Sequence, residues 1–337
     1  MKVFNILLTV SFLLMNSPSI FAQELNVEEL VRVGISYHDK GDYKKAIEVY
    51  SKALEADPNS NLVMFEMAFS HNALQEYKKT IKLCKKIIAN PGENVVHTYV
   101  LYGNTLDQMG KPKKALKVYE EATKTSDNYL LFYNYGLTCY NTGDYDKAYG
   151  LFLKAIANNS AHPSSHLLLS KVMAKKNSRI KSMLPLYYFL MLEPNTERAS
   201  IEYQNLRKLM DTGVSQSSPS NIDISISMND MDSDFTAAEM MISLSNVTKN
   251  LEENKDKSDL ELFAMRNKNI FNILGELKKD NKGFWWEFYV PVFYDLSTKG
   301  HVDSFSHYIS LTADEEALEW IKENDEEFKK FSEWGSK

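Results

Sequence analysis

GISYHDKGDYKKAIEVYSKALEADP, running from Gly34 to Pro58, is the clearest copy of a segment that recurs along the first half of this chain. The small residue at Gly34 returns at Ala68, Gly103 and Gly136, and in weaker form at Ser170. The steps are 34, 35, 33 and 34 residues, the period of a helix–turn–helix array. Twelve residues after each of these comes a second small or short residue: Ala46, Thr80, Ala115, Ala148 and Ser182. Four residues further on stand Tyr50, Cys84, Tyr119, Phe152 and Leu186, mostly large. Two antiparallel helices approach closely only where small side chains face each other, and one large ring then fills the space beside them. A single copy cannot bury its apolar face, so successive copies must stack into a solenoid.

On these residues the chain resembles the tetratricopeptide repeat (TPR) family. The resemblance covers roughly Val27 to Asn195 and is strongest in copies one, three and four. Gly41, Gly110 and Gly143 mark the turn between paired helices, and Pro58 and Pro194 close copies one and five. Copy two departs, with Gln75 in place of the turn glycine. Copy five departs further, reading Lys-Lys-Asn at 175–177. The expected fold is all-α: a TPR solenoid of about five repeats with a capping helix, then a second all-helical module. The C-terminal region is similar to those of exported bacterial TPR proteins, a likeness that carries no activity with it.

Residues 1–22, MKVFNILLTVSFLLMNSPSIFA, read as a secretory signal peptide: Lys2, a short apolar core, then Ser17, Pro18 and Ala22 at the cleavage region. The apolar run is short for a membrane span, and an uncleaved anchor is the alternative reading. No Cys stands near the cleavage point to carry a lipid. The protein is therefore expected in the periplasm or outside the cell. Cys84 and Cys139 fall on core positions two repeats apart, beyond disulfide reach. The formal net charge is −6. The charge reads as dispersed, with no basic stripe for a phosphate backbone, so nucleic acid is not an expected partner.

The expected boundaries are 1–22 for the signal, 23–211 for the solenoid and its cap, 212–234 for a Ser/Asp-rich linker, and 235–337 for the helical C-terminal module. Within the linker, Ile222, Ile224, Ile226 and Met228 alternate with polar residues, which predicts an extended segment. No partner strand is legible nearby. Ser258 is expected to cap the helix that follows it, and Thr312 with Glu315 reads as a capping box opening a helix to Trp334. The densest aromatic run lies between Phe284 and Tyr294. It reads either as core or as a second surface around Trp285, Trp286 and Tyr289, suited to a glycan or peptide.

No phosphate-binding, hydrolase or zinc-protease motif is present. His162 and His166 are four apart but lack further ligands, and Asp230, Asp232 and Asp234 lack the glycine and glutamate of a calcium loop. No catalytic residue, metal or cofactor is expected. What the resemblance implies instead is a concave face lined by the first helices. Its residues here would be Ile35, His38, Phe65, Phe69, Asn72, Asn104, Asp107, Tyr133, Asn134, Leu137, Tyr140 and Lys171. With Lys171 as the lone cation, a carboxylate clamp is disfavoured. The mix of rings and amides suits an apolar or amphipathic polypeptide, or the chain's own second half docked there.

Overall fold

The computed structural model describes residues 26–212, 214–218, 221–224, 234–245, 254 and 256–336. The signal-peptide reading of residues 1–22 lies outside the described residues, as does most of the linker, including Asp230 and Asp232. Among the described residues no helix is long and apolar enough to cross a membrane.

Five helical pairs follow one another as the repeat predicts. They are α1 (Val27–Asp39) with α2 (Tyr43–Ala56), α3 (Asn61–Ala73) with α4 (Tyr77–Ala89), and α5 (Val95–Gln108) with α6 (Pro112–Ala122). Then come α7 (Tyr129–Asn141) with α8 (Tyr145–Asn158), α9 (Pro163–Lys175) with α10 (Arg179–Leu192), and the single helix α11 (Glu197–Asp211). The small–large pairing is literal. A Cβ built on Gly34 would stand 2.2 Å from the Tyr50 ring, one on Gly103 2.2 Å from Tyr119, and one on Gly136 2.8 Å from Phe152. Copy five solves the same problem with hydroxyls: Ser182 donates to the Ser170 carbonyl at 3.0 Å.

Each pair turns through one residue in the left-handed region. Gly41, Gly110 and Gly143 take it with φ of 79°, 69° and 83°. Gln75 and Asn177 take it too, at 59° and 54°, in the two copies that lack the glycine. In all five turns the next amide reaches back to the same carbonyl: Asp42 to Tyr37, Glu76 to His71, Lys111 to Leu106, Asp144 to Cys139, Ser178 to Met173. In copy five the turn is held by this bond and by the packing of α9 against α10, so it keeps its register without glycine.

The chain divides into two compact units, one ending at Glu76 and one beginning at Tyr77. The first has its own small core of Val31, Ala46, Tyr50, Ala53 and Val63. The second holds the remaining helices. After α11 the extended segment is paired, contrary to the expectation of a lone strand. β1 (Val214–Ser218) runs antiparallel to β2 (Asn221–Ile224), with Val214 opposite Ile224. The β1 sequence VSQSS has no apolar alternation, which is why it is invisible to a periodicity reading.

Then follow α12 (Thr236–Ser245), α13 (Asp259–Leu277), a π-helical turn at Trp285–Tyr289, α14 (Val290–Thr298), α15 (Val302–Ser310), α16 (Glu315–Glu323) and α17 (Asp325–Gly335). Ser258 caps α13 with a complete capping box to Glu261. The helix expected from Thr312 to Trp334 is two helices, and its cap is Asp314, which accepts from the Glu316 amide at 3.0 Å. Thr312 donates instead to the Pro194 carbonyl at 3.3 Å. These C-terminal helices share one apolar core with repeats three to five, continuous from Leu106 to Phe331. Tyr187 of α10 is central to it. Its ring packs with Phe271, Phe293 and Phe305, and its hydroxyl donates to Asn267 at 2.6 Å.

Candidate functional site

The first unit contributes a row of rings. His38, at the end of α1, stacks on Phe69 of α3 with centroids 4.8 Å apart and planes 17° apart. Phe65 lies one turn earlier, parallel to Phe69 at 6.4 Å. Tyr43 also meets His38 edge-on at 5.0 Å. A hydrogen bond of 2.8 Å between His38 Nδ1 and Ser70 Oγ fixes the imidazole. Burial lowers the His38 pKa, with Asp39 pulling the other way, so the neutral ring is favoured. Phe69 is nonetheless 46% exposed, the one aromatic ring among the large exposed apolar side chains of the described residues. Ile35 and Asn72 are half-buried on the same two helices.

In the second unit the predicted residues have different fates. Tyr133, Leu137 and Tyr140 of α7 are half-buried. Tyr133 meets the His162 ring edge-on at 4.7 Å, and Tyr140 meets Tyr145 at 5.6 Å. Asn104 and Asn134 are bonded to each other at 3.1 Å, and Asn104 also accepts from the Tyr119 hydroxyl at 2.6 Å. Asn134 spends its amide on the Leu130 carbonyl and is buried. Asp107 accepts a short bond from Thr138, and burial pushes its carboxyl up despite that bond. Lys171 is paired with Glu202 of α11 at 2.9 Å. The amides and charges expected to face a ligand are thus largely engaged within the chain. They stitch one first helix to the next.

The spacing of these partners carries a signal in the sequence. His38–Ser70, Asn104–Asn134 and Asp107–Thr138 are separated by 32, 30 and 31 residues. That is one repeat less about one helical turn, the spacing at which adjacent first helices face each other. Polar residues at that spacing are inter-repeat partners before they are ligand contacts.

The aromatic run is core, and the alternative surface around Trp285, Trp286 and Tyr289 is not open: all three are buried. Trp285 stacks on Tyr149 of α8 at 6.3 Å and donates to its hydroxyl at 3.2 Å. Trp286 stacks on Phe235 at 4.4 Å and donates to Asp234. Asp234, read as one of three candidate calcium ligands, is also paired with Lys181 at 3.2 Å. Tyr289 donates to His166 Nδ1 at 2.6 Å, while His166 Nε2 donates to the Ser160 carbonyl at 2.9 Å. The carbonyl can only accept, which fixes the tautomer. Burial takes the His166 pKa down to about 4. The π-helical turn aids the burial. Val290 bonds back to the Trp285 carbonyl five residues away, so two consecutive tryptophans both reach apolar surroundings.

Neither cysteine has the environment of a nucleophile. Both are buried and free, and burial pushes their thiols up to about 12 at Cys84 and about 11 at Cys139. Among the described residues no group of three His, Cys, Asp or Glu side chains could hold a metal ion.

With this geometry in hand, the relatives are informative. Residues 27–60 match the tetratricopeptide repeat family, and residues 103–163 match it again. Over these two segments the chain carries tetratricopeptide repeats. A TPR repeat-containing protein of Methanocaldococcus jannaschii is 24% identical over 133 residues, covering 39% of this chain and 23% of that protein. Tetratricopeptide repeat protein 8 of Caenorhabditis elegans is 27% identical over 139 residues, covering 40% and 26%. The alignments therefore span about a quarter of the length of these curated relatives. Among solved structures, Pseudomonas aeruginosa pilF is 20% identical with a TM-score of 0.48, covering 68% of this chain and 95% of its own. The Thermus thermophilus TPR protein TTC0263 is 16% identical with a TM-score of 0.45, covering 54% and 99%. A TPR fold is in general a protein–protein interaction scaffold, and proteins of this family are generally non-catalytic.

Proposed function

We propose that this TPR protein is a non-catalytic scaffold of the cell envelope that binds an apolar or amphipathic polypeptide through the ring row His38–Phe69–Phe65. The exposure of Phe69 supports this reading most directly. A phenylalanine left half in water loses the burial free energy that an ordinary core ring gains. Here it is also held rigid by a parallel imidazole, so little side-chain entropy remains to be lost on binding. Rigid, pre-stacked rings suit the apolar anchors of a helix or an extended segment. The envelope location rests on residues 1–22 and would be checked by sequencing the N-terminus of the protein recovered from fractionated cells.

The binding reading is tested with a displayed library of amphipathic peptides selected on the full chain. Phe69→Ala is expected to weaken selected peptides by about thirtyfold, the effect of losing a central anchor. Affinity unchanged in Phe69→Ala and in Phe65→Ala would remove the ring row as the binding surface.

A further inference from the structure

The second helices of repeats two and three carry a local concentration of positive charge within a chain whose charge is otherwise dispersed. Helix α4, YKKTIKLCKKIIA, contains lysines and no carboxylate. Its buried stripe is Thr80, Cys84 and Ile87, and Lys78, Lys82 and Lys85 project from the opposite face, all exposed. Helix α6 buries Ala115, Tyr119 and Ala122 and exposes Lys113, Lys114 and Lys117 in its first two turns, with Glu120 and Glu121 exposed in its last. Lys113 and Lys117 stand 35 residues after Lys78 and Lys82, at equivalent positions of the next repeat. Both helices pack on α5. The pattern is confined to these two copies. The position of Lys78 and Lys113 is Asp146 in repeat four, and that of Lys82 and Lys117 is Glu48 in repeat one.

This face is costly to the isolated molecule. Lys78 and Lys82 are four apart, as are Lys113 and Lys117, and like charges at that spacing repel. Lysines in the first turn of α4 and α6 oppose the helix dipole, and neither first turn holds an acid. A chain with net charge −6 has ample carboxylates with which to neutralise them, yet places none at these positions of α4.

We propose that the α4–α6 face docks on an anionic lipid bilayer. The residue type favours a surface over a shaped ligand. Every cation here is lysine, a hydrated point charge without the bidentate fork that arginine offers a single phosphate or a base edge. Clusters of four to eight such charges bind anionic headgroups at about 1 kcal/mol each. The contact is peripheral and salt-sensitive.

The test is co-sedimentation of the full chain with vesicles of equal parts phosphatidylglycerol and phosphatidylcholine, against pure phosphatidylcholine. The protein should sediment with the anionic vesicles at low salt and be released at high salt. Lys78→Gln, Lys82→Gln, Lys113→Gln and Lys117→Gln combined should lower the partition on the order of a hundredfold or more. Circular dichroism confirms the fold, and Lys299→Gln, just past the end of α14, serves as the neutral control. Equal partition of the wild type onto neutral vesicles overturns the proposal, as does equal partition of the quadruple variant. Tighter binding to soluble polyglutamate than to anionic vesicles also overturns it, because the partner would then be an acidic polypeptide.

Discussion

Gln75 carries a conformation that L-residues adopt at a cost. Its φ of 59° places its Cβ against the following carbonyl, a penalty of roughly 1–2 kcal/mol that glycine escapes. The neighbouring turns show that glycine fits: Gly41, Gly110 and Gly143 all have open space where a Cβ would stand. Gln75→Gly should therefore stabilise the protein by about 1 kcal/mol, less the entropy glycine returns to the unfolded chain. The midpoint of urea denaturation should rise. Asn177→Gly should raise it less, because asparagine already tolerates the left-handed region. The glycine turns of copies one, three and four were legible from sequence. The turns at Gln75 and Asn177 were not, because no glycine marks the left-handed residue there, and at Asn177 the geometry is imposed by α9 and α10 on either side.

Helix ends follow the same division. Ser258 was legible as a cap from its place just before an apolar-periodic run, and the glutamate three residues on completes the box. Thr312 carried the same signature and does something else. Its hydroxyl is taken by the Pro194 carbonyl of repeat five, and Asp314 caps α16 in its place. A capping motif is a local statement, and a long-range acceptor can outcompete it. Asp314→Ala should cost about 1 kcal/mol, whereas Thr312→Ala at an exposed position should fall within about 0.5 kcal/mol of wild type. Equilibrium denaturation of the two variants separates the assignments, since the reverse ranking would return the cap to Thr312. The aromatic run shows the same limit. Alpha-helical spacing was the only guide to its faces, and the π-helical turn changes which rings point together.

Across the whole molecule, His166 links repeat five to the C-terminal helices through Tyr289. Its pKa is about 4 in the folded protein, against an ordinary value of 6.5. Because the folded value is depressed, the unfolded chain binds the proton more readily. The stability this neutral imidazole confers is full above pH 6.5 and is lost as pH falls toward 4. The loss amounts to about 3 kcal/mol over that window. Denaturation measured at a series of pH values should show this slope in the wild type and a flatter one in His166→Gln. An unchanged slope would mean that the ring is solvated, and that the contact between repeat five and Tyr289 does not exclude water. The α4–α6 lysines also belong to this scale, since their charge is felt only as a sum over two repeats.

By itself the sequence determined the repeat. Its 34-residue step, the small residues with a large one sixteen places on, and the glycine turns follow from contacts within a repeat and between neighbours. Such contacts recur at fixed separations and so leave a period in the chain. Only the tertiary structure decided where the C-terminal rings went. Trp285, Trp286 and Tyr289 could as well have met a ligand as Tyr149, Phe235 and His166. That choice depends on which distant surface offers the larger dry area and the matching hydrogen-bond partners. It also decided that Asn104, Asn134, Asp107 and Lys171 bind their own chain. A buried polar group needs a partner, and in a stacked array the nearest one is on the next repeat.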